Sequence, residues 1–372
     1  MREVYQTLCF SLKHWALCAL AHGIITTMLD YITEHNISDI ENIVTELGQS
    51  KFRAKQLIEW ILIKGAESYD AMTNLPKAFR ETLKNNYPLK QTSIIERRIS
   101  NDGTRKYVIE LADGCLVETV GMPSLKDNDH LSVCFSTQVG CAMACSFCAT
   151  GKEGLSRNLS SIEMVEQIRI VQDDFDRRVS NVVSMGQGEP FQNYDTVLEA
   201  LKFLNAKNGF GIGARHITLS TCGIISGIEK LSNEPEQFTL AVSLHWADQK
   251  LRDEIMPRCK SQTLPQLKKA LSDYVRKTGR RPSLEYTMIS GINDRQSDLD
   301  ELIVFTEGLL CHVNLIPLND IPSSPLKPSS TKTYKHWIAS LEKHGVETTI
   351  RNSRGSDIDG ACGQLKNTLL HT

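Results

Sequence analysis

From residue 29 to about 90, apolar positions recur at steps of three and four. Ile37-Ser-Asp-Ile-Glu-Asn-Ile-Val-Thr-Glu-Leu47 begins with a Ser-Asp start signal and Phe52 to Ile63 repeats the spacing, which predicts a small helical module. Between about 91 and 122 the period changes to two. Ile95–Ile99, Tyr107–Leu111 and Leu116–Val120, separated by the turn signals Asn101-Asp-Gly and Ala112-Asp-Gly, predict an antiparallel β-ribbon linking the module to the main domain. From 123 to 372, short apolar runs start at Leu131, Val182, His216, Phe238, Leu284, Val313 and Glu347. They alternate with helical stretches such as Ser161 to Asp174, Tyr194 to Asn205, Leu264 to Lys277 and Gln296 to Leu309. Repeated βα units imply an α/β fold with a parallel sheet, a full or partial (β/α) barrel. In such barrels chemistry gathers at the C-terminal ends of the strands. Those ends carry Cys134, Gly186-Gln-Gly-Glu-Pro190, Ser220, Ser243-Leu-His245 and Asn319.

Residues 1–28 fit neither pattern. The apolar run Trp15–Ala21 is flanked by Lys13, His14 and His22, too short for a membrane span and without a cleavage signal, so this stretch is expected to be a loose extension with Met28 as a start site. Lys and Arg number 42 and Asp and Glu 44, so whole-chain charge selects neither nucleic acid nor membrane as a partner. Locally the balance differs: residues 51–100 hold 10 basic against 5 acidic side chains, a surplus that suits a phosphate backbone as well as a solvated helix surface. Eleven cysteines, with no secretory signal, argue for reduced thiols in a cytoplasmic protein.

Three of those cysteines, Cys141, Cys145 and Cys148, stand in Gly140-Cys-Ala-Met-Ala-Cys-Ser-Phe-Cys-Ala-Thr-Gly151. The spacing C-x3-C-x2-C offers three thiolates and no fourth. Structural zinc sites fill four positions, commonly as two C-x2-C pairs, and electron-carrying 4Fe-4S clusters are closed by four cysteines. Three ligands leave one iron open to bind a substrate or cofactor. Gly140 and Gly151, which let the backbone bend around a cluster, weigh against three packed core thiols. Gly209-x-Gly-x-Gly213 precedes a strand instead of opening a helix and is read as a turn.

The cluster motif, the Gly-Glu-Pro turn, Ser-Leu-His, Val313-Asn-Leu-Ile-Pro and the tail Arg354-Gly-Ser-Asp-Ile-Asp-Gly-Ala-Cys-Gly-Gln-Leu365 together resemble the radical S-adenosylmethionine adenine-C2 methyltransferases, the RlmN family, from about residue 30 to 368. The resemblance implies a radical S-adenosylmethionine barrel over 123–372 ending in a catalytic cysteine loop, with an RNA-binding helical domain at 29–90. It also implies C2 methylation of an adenine in 23S rRNA and in tRNA. Cys141, Cys145 and Cys148 would hold the 4Fe-4S cluster, whose open iron takes S-adenosylmethionine, two per turnover. Gly188 and Glu189 would meet its amino group, and Ser220, Ser243, Leu244, His245 and Asn319 the remainder.

Adenine carbons are poor nucleophiles, so a radical route is needed. In the route that the resemblance implies, Cys362 is methylated by one S-adenosylmethionine and loses a hydrogen atom to the 5′-deoxyadenosyl radical made from a second. The carbon then adds to adenine, Glu118 takes the ring proton, and Cys134 releases the product through a transient disulfide with Cys362. Phe52 and Trp60 of the basic module would contact RNA. A flavodoxin or ferredoxin would supply electrons to a monomer with no membrane attachment. Gln187, where methionine is usual, and Gly360, where alanine is common, depart from the pattern and would affect cofactor fit. Cys9, Cys18, Cys115, Cys222, Cys259 and Cys311 match no motif and are assigned to packing. The alternatives are C8 methylation of 23S rRNA by the same machinery and a non-catalytic iron-sulfur RNA-binding or sensor protein. The latter leaves Cys134 and Cys362 unexplained.

Overall fold

The structure is a computed structural model and describes residues 29–125, 130–152, 154–319, 326–351 and 353–365; the extension at 1–28, with Met28, Cys9 and Cys18, lies outside them. The helical module forms as the apolar spacing requires. Helix α1 (Ile37–Glu46) buries Ile40, Ile43 and Val44, and α2 (Lys51–Ile58) continues into a π-helical turn, Glu59–Ile63, that buries Ile61 and Leu62. Helix α3 (Lys77–Asn86) adds Phe79 and Leu83 to the same core. The module is fastened to the barrel at the N-terminus of α1, where the Glu199 carboxylate accepts the Ile37 and Ser38 N–H groups at 3.1 and 2.8 Å. A carboxylate there satisfies orphan donors and complements the helix dipole.

Strands β1 (Ser93–Ile99), β2 (Arg105–Glu110) and β3 (Leu116–Pro123) form the expected antiparallel ribbon. It is not free-standing. Strand β3 pairs antiparallel with β4 (Leu131–Cys134), which makes the ribbon the edge of the main sheet. After β4 comes a hairpin of β5 (Gln138–Cys141) and β6 (Gly154–Asn158), followed by helix α4 (Ser161–Phe175). Strand β7 (Asn181–Ser184), helix α5 (Tyr194–Asn205), β8 (Ile217–Thr221), α6 (Ile225–Leu231) and β9 (Thr239–Ser243) continue the alternation. They are followed by α7 (Gln249–Ile255), α8 (Leu264–Thr278), β10 (Ser283–Met288), α9 (Gln296–Thr306), β11 (His312–Pro317), α10 (Thr331–Lys343) and β12 (Glu347–Ile350).

The ten-stranded sheet runs β1-β2-β3-β4-β7-β8-β9-β10-β11-β12, parallel from β4 onward. Its two ends, β1 and β12, are not hydrogen-bonded to each other, so the barrel is partial. Along the parallel strands the fully buried apolar residues recur at alternate positions, as in Leu240 and Val242, Leu284 and Tyr286, or Val313 and Leu315, with polar residues such as Ser220, Glu285 and Asn314 between them on the other face. Among the described residues no helix is long and apolar enough to cross a membrane.

Candidate active site

The cysteine loop is shaped by backbone that other residues would not permit. Gly140 has φ +77°, and a Cβ there would lie 2.0 Å from the Gly154 carbonyl oxygen; one on Gly151 would lie 2.9 Å from the Cys145 nitrogen. The β5–β6 hairpin thus folds tightly against itself and presents Cys141, Cys145 and Cys148 to a cavity of about 1010 Å³ at the C-terminal ends of the strands. Burial pushes the Cys141 thiol up to about 12 and raises Cys145 and Cys148 as well, so bound metal is what would ionise them. Among the described residues no three His, Cys, Asp or Glu side chains converge on a point that could hold one metal ion. A zinc-type site needs such convergence, whereas a cubane does not, because each thiolate ligates its own iron.

Opposite the thiols lies Glu189, buried, with Oε1 accepting the Phe191 N–H at 3.0 Å and Oε2 accepting the Cys222 N–H at 2.7 Å. Burial raises its pKa and the two N–H bonds oppose that rise. The side chains of Cys222 and Thr221 also bond to it and oppose the rise. Gly188, at φ +107°, lets this turn approach the loop after β4: a Cβ would fall 2.7 Å from Gln138 Cβ and Thr137 Oγ1. Ser220, Ser243, His245 and Asn319 complete the lining.

His245 is buried in a left-handed conformation, φ 55°, with Nδ1 accepting the Thr287 N–H at 3.1 Å and the ring edge-on to Phe147. That bond leaves the proton on Nε2. Desolvation, then the nearby Arg252 guanidinium, bring its pKa down to about 3. The folded state therefore refuses a proton that the unfolded chain accepts below about 6.5, and stability falls as pH drops through that window. Between pH 7.5 and 5, the loss of unfolding free energy should be about 2 kcal/mol larger in the wild type than in His245→Gln, measured by urea titration at both pH values.

Leu244 does not line the cavity; its side chain is in the core, and its main chain hydrogen-bonds Glu285 and Arg252. Gln187 is likewise off the cavity: its Oε1 accepts the Glu118 N–H at 3.2 Å, so the departure from methionine touches β3 and not cofactor fit. Cys259 packs with Met143 and Met256 and Cys311 is buried in the main core, whereas Cys222, though packed in the same cluster as Cys259, also lines the first cavity. These three are free thiols, as are the site cysteines, whereas buried Cys115 is disulfide-bonded.

A second cavity of about 1540 Å³ adjoins the first, with Met185, Ile316, Asn319, Arg351 and Cys362 common to both walls. Cys134, at the end of β4, faces this second space. Burial, reinforced by the neighbouring Cys362, pushes the Cys134 thiol up to about 12, with Arg351 opposing. Cys362 sits on an irregular loop pinned from both sides. Gly363 and Leu365 carbonyls accept from Ala149 N–H at 2.8 Å and Thr150 Oγ1 at 2.7 Å, directly beside the cluster loop, and Asn319 Nδ2 donates to the Cys362 carbonyl at 3.1 Å.

The other side of that loop rests on the β1–β2 turn. Arg354 Nε donates to Asp102 at 2.7 Å, and Asp357 accepts from Ser100 Oγ at 2.5 Å and Asn101 N–H at 3.1 Å. Burial acts to raise the Asp102 pKa, but bonds from Thr104, Arg354 and Gly355 win and hold it well below the carboxylate range. Glu118 is fully buried on β3, ion-paired with Lys106 at 2.9 Å, and lines neither cavity. Lys106 Nζ also donates to the Asp359 carbonyl at 3.2 Å, which ties Glu118 to the Cys362 loop. In the helical module, Phe52 is 63% exposed, whereas Trp60 is half-buried, bonded through Nε1 to Asn74 and covered by Lys64.

A partial parallel barrel whose open end gathers three unclosed cysteines and a main-chain-buttressed glutamate defines a radical S-adenosylmethionine enzyme, and residues 135–303 match the model of that superfamily. Residues 32–88 match the ribosomal RNA large subunit methyltransferase N-terminal domain. The probable dual-specificity RNA methyltransferase RlmN of Clostridium novyi (strain NT) is 42% identical over 340 residues, covering 91% of this chain and 98% of that protein. That of Staphylococcus carnosus (strain TM300) is 44% identical over 335 residues, 88% and 90% of the two chains. A crystal structure of a radical SAM methyltransferase from Sphaerobacter thermophilus superposes with a TM-score of 0.82 at 40% identity, covering 90% of this chain and 99% of that one. The chain belongs to the RlmN family of radical S-adenosylmethionine RNA methyltransferases. Its cofactors are accordingly a 4Fe-4S cluster and S-adenosylmethionine, for which the three thiols and the Glu189 carboxylate are chemically fitting partners.

Proposed function

We propose that this enzyme methylates C2 of an adenine in 23S rRNA and in tRNA, with Cys362 as methyl carrier and Cys134 as the thiol that releases product. The observation that carries this reading is the position of Cys362 on the wall between two cavities, one holding the cysteine cluster motif and Glu189, the other holding Cys134. Cys141, Cys145 and Cys148 would hold the cluster; Gly188, Glu189, Ser220, Ser243, His245 and Asn319 would hold S-adenosylmethionine. Once bound, these groups supply a methyl group and, from a second S-adenosylmethionine, an oxidising 5′-deoxyadenosyl radical.

The protein's own contribution is to place one sulfur within reach of both spaces. Cys362 Sγ attacks the methyl carbon as a nucleophile, the new S–CH3 bond forming as the sulfonium S–CH3 bond breaks and S-adenosylhomocysteine leaves, and the same sulfur later carries the carbon bonded to adenine C2. Glu118, ion-paired with Lys106 at 2.9 Å, accepts the proton leaving C2, and the odd electron released with it would go to the iron-sulfur cluster that the cysteine loop would hold. The Cys134 thiolate then attacks Cys362 Sγ: the S–S bond forms, the S–CH2 bond breaks, and the carbon leaves with the electron pair and is protonated to a methyl group. A flavodoxin or ferredoxin supplies the electrons for S-adenosylmethionine cleavage, a cellular dithiol reduces the Cys134–Cys362 disulfide by exchange, the surplus of basic side chains over residues 51–100 with exposed Phe52 engages the RNA, and the enzyme works as a cytoplasmic monomer.

Cluster-loaded wild type given S-adenosylmethionine, reductant and a ribosomal RNA fragment should yield 5′-deoxyadenosine and 2-methyladenosine by mass spectrometry. Cys362→Ala should yield no methylated base, a loss of about a thousandfold or more, with cluster content unchanged. Methylation surviving in Cys362→Ala, or 8-methyladenosine as the product, overturns the reading.

A further inference from the structure

Both sulfurs act as nucleophiles in the proposed reaction, and a thiol attacks only as its thiolate. Yet burial holds Cys134 strongly to the neutral form. Among the described residues, the wall common to the two cavities carries one cationic side chain, Arg351. It leaves the end of β12, its main chain fixed by an N–H bond to the Leu315 carbonyl at 2.9 Å, and its guanidinium lines both cavities with Cys362. About a quarter of the side chain is exposed, into this space.

Its surroundings leave the charge available. On β10, Glu285 is 3.8 Å from Nη1, beyond a close ion pair, and its two oxygens already accept from Ser283 Oγ at 2.6 Å and Asn314 Nδ2 at 2.8 Å. Nη1 rests against Met185 Sδ at 3.1 Å, just past β7. The other groups facing it are Cys134 from β4 and Cys362 from the C-terminal loop. A guanidinium has five N–H donors in a rigid fork, enough to meet both sulfurs in turn.

We propose that Arg351 is a positioning residue for both thiol steps: its guanidinium stabilises the negative charge on Cys362 as it takes the methyl group and on Cys134 as it attacks the adduct. Cys362, then Glu285 and Cys134, raise the affinity of Arg351 for its proton against the opposing effect of burial, and Arg351 in turn opposes the rise at Cys134.

The inference rests on the reading of Cys362 and Cys134 as the working pair. Arg351→Gln and Arg351→Lys, cluster-loaded, are compared with wild type by iodoacetamide labelling of Cys134 from about pH 6 to 10, read by peptide mass spectrometry with buried, remote Cys311 as the internal reference. Labelling of Cys134 at pH 8 should fall about tenfold in Arg351→Gln, its pH profile moving alkaline by about one unit, with Arg351→Lys restoring most of the loss. During turnover, Arg351→Gln should accumulate RNA-linked protein, while its affinity for S-adenosylmethionine and RNA stays within about twofold of wild type. An unchanged labelling profile overturns the inference. So does a profile that is unchanged while S-adenosylmethionine or RNA binding weakens about tenfold, which would make Arg351 a carboxylate or phosphate contact. Failure of the underlying reading looks different: methylation would persist in Cys362→Ala.

Discussion

Cys134→Ala should turn a multiple-turnover enzyme into one that stops on its own substrate. The end of β4 places Cys134 on the second cavity, whose wall also carries Cys362, and among the described residues no other free thiol lines that cavity. Without it, the carbon joining Cys362 to adenine has no route off the enzyme. Protein crosslinked to RNA should approach one per enzyme on a denaturing gel, with product below one methyl per enzyme. The crosslink should vanish in the double variant with Cys362→Ala. The substitution removes one buried sulfur at a cost of about 1 kcal/mol, too little to unfold a domain of this size. Repeated turnover by Cys134→Ala with no crosslink would remove Cys134 from the mechanism.

Glu189→Ala should lose S-adenosylmethionine. The carboxylate is buried and its two oxygens are aimed by the Phe191 and Cys222 N–H groups, so an ammonium arriving there meets a partner already desolvated and fixed. Truncation leaves that ammonium unpaired in a buried site, a penalty of about 3 kcal/mol, or on the order of a hundredfold in affinity. Glu189→Gln, which keeps one acceptor oxygen and loses the charge, should fall between. Equilibrium binding to cluster-loaded protein measures this; wild-type affinity in Glu189→Ala would place the amino group elsewhere.

The parts of the molecule legible in the sequence are those with a local signature. The parallel strands read as short runs with apolar residues at alternate positions, because one face is fully buried, and the cysteine loop is marked by its spacing. The β5–β6 hairpin carries no such signal: Gln138-Val-Gly-Cys and Gly154-Leu-Ser-Arg-Asn lack the alternation of a strand, since their geometry serves the loop between them. Leu244, singled out by resemblance, belongs to the core. Arg351, Lys106 and Asp102 do not stand out in the sequence, because isolated charged residues on strands and turns look like solvated surface until a partner far along the chain arrives. For Lys106 the only hint is its place among the apolar positions of β2, where an unpaired charge would be costly. The ribbon is legible in its alternation and turns, but its service as a seat for the Cys362 loop depends on bonds such as Arg354 to Asp102, 252 positions apart.

That separation sets an order of events. Loop-closure entropy grows only slowly with length, so the long span is no obstacle to the finished fold, but contacts this distant form after local ones. On a ribosome, the β1–β2 turn and the three cluster thiols emerge well before residue 362. The part of the barrel that would hold the cluster can therefore be assembled while Cys362, the proposed methyl carrier, is still being synthesised. The Asp102–Arg354 and Ser100–Asp357 clasps then join the last-made loop to an early-made turn, so the two ends of the catalytic domain's synthesis meet where Cys362 reaches the wall between the two cavities.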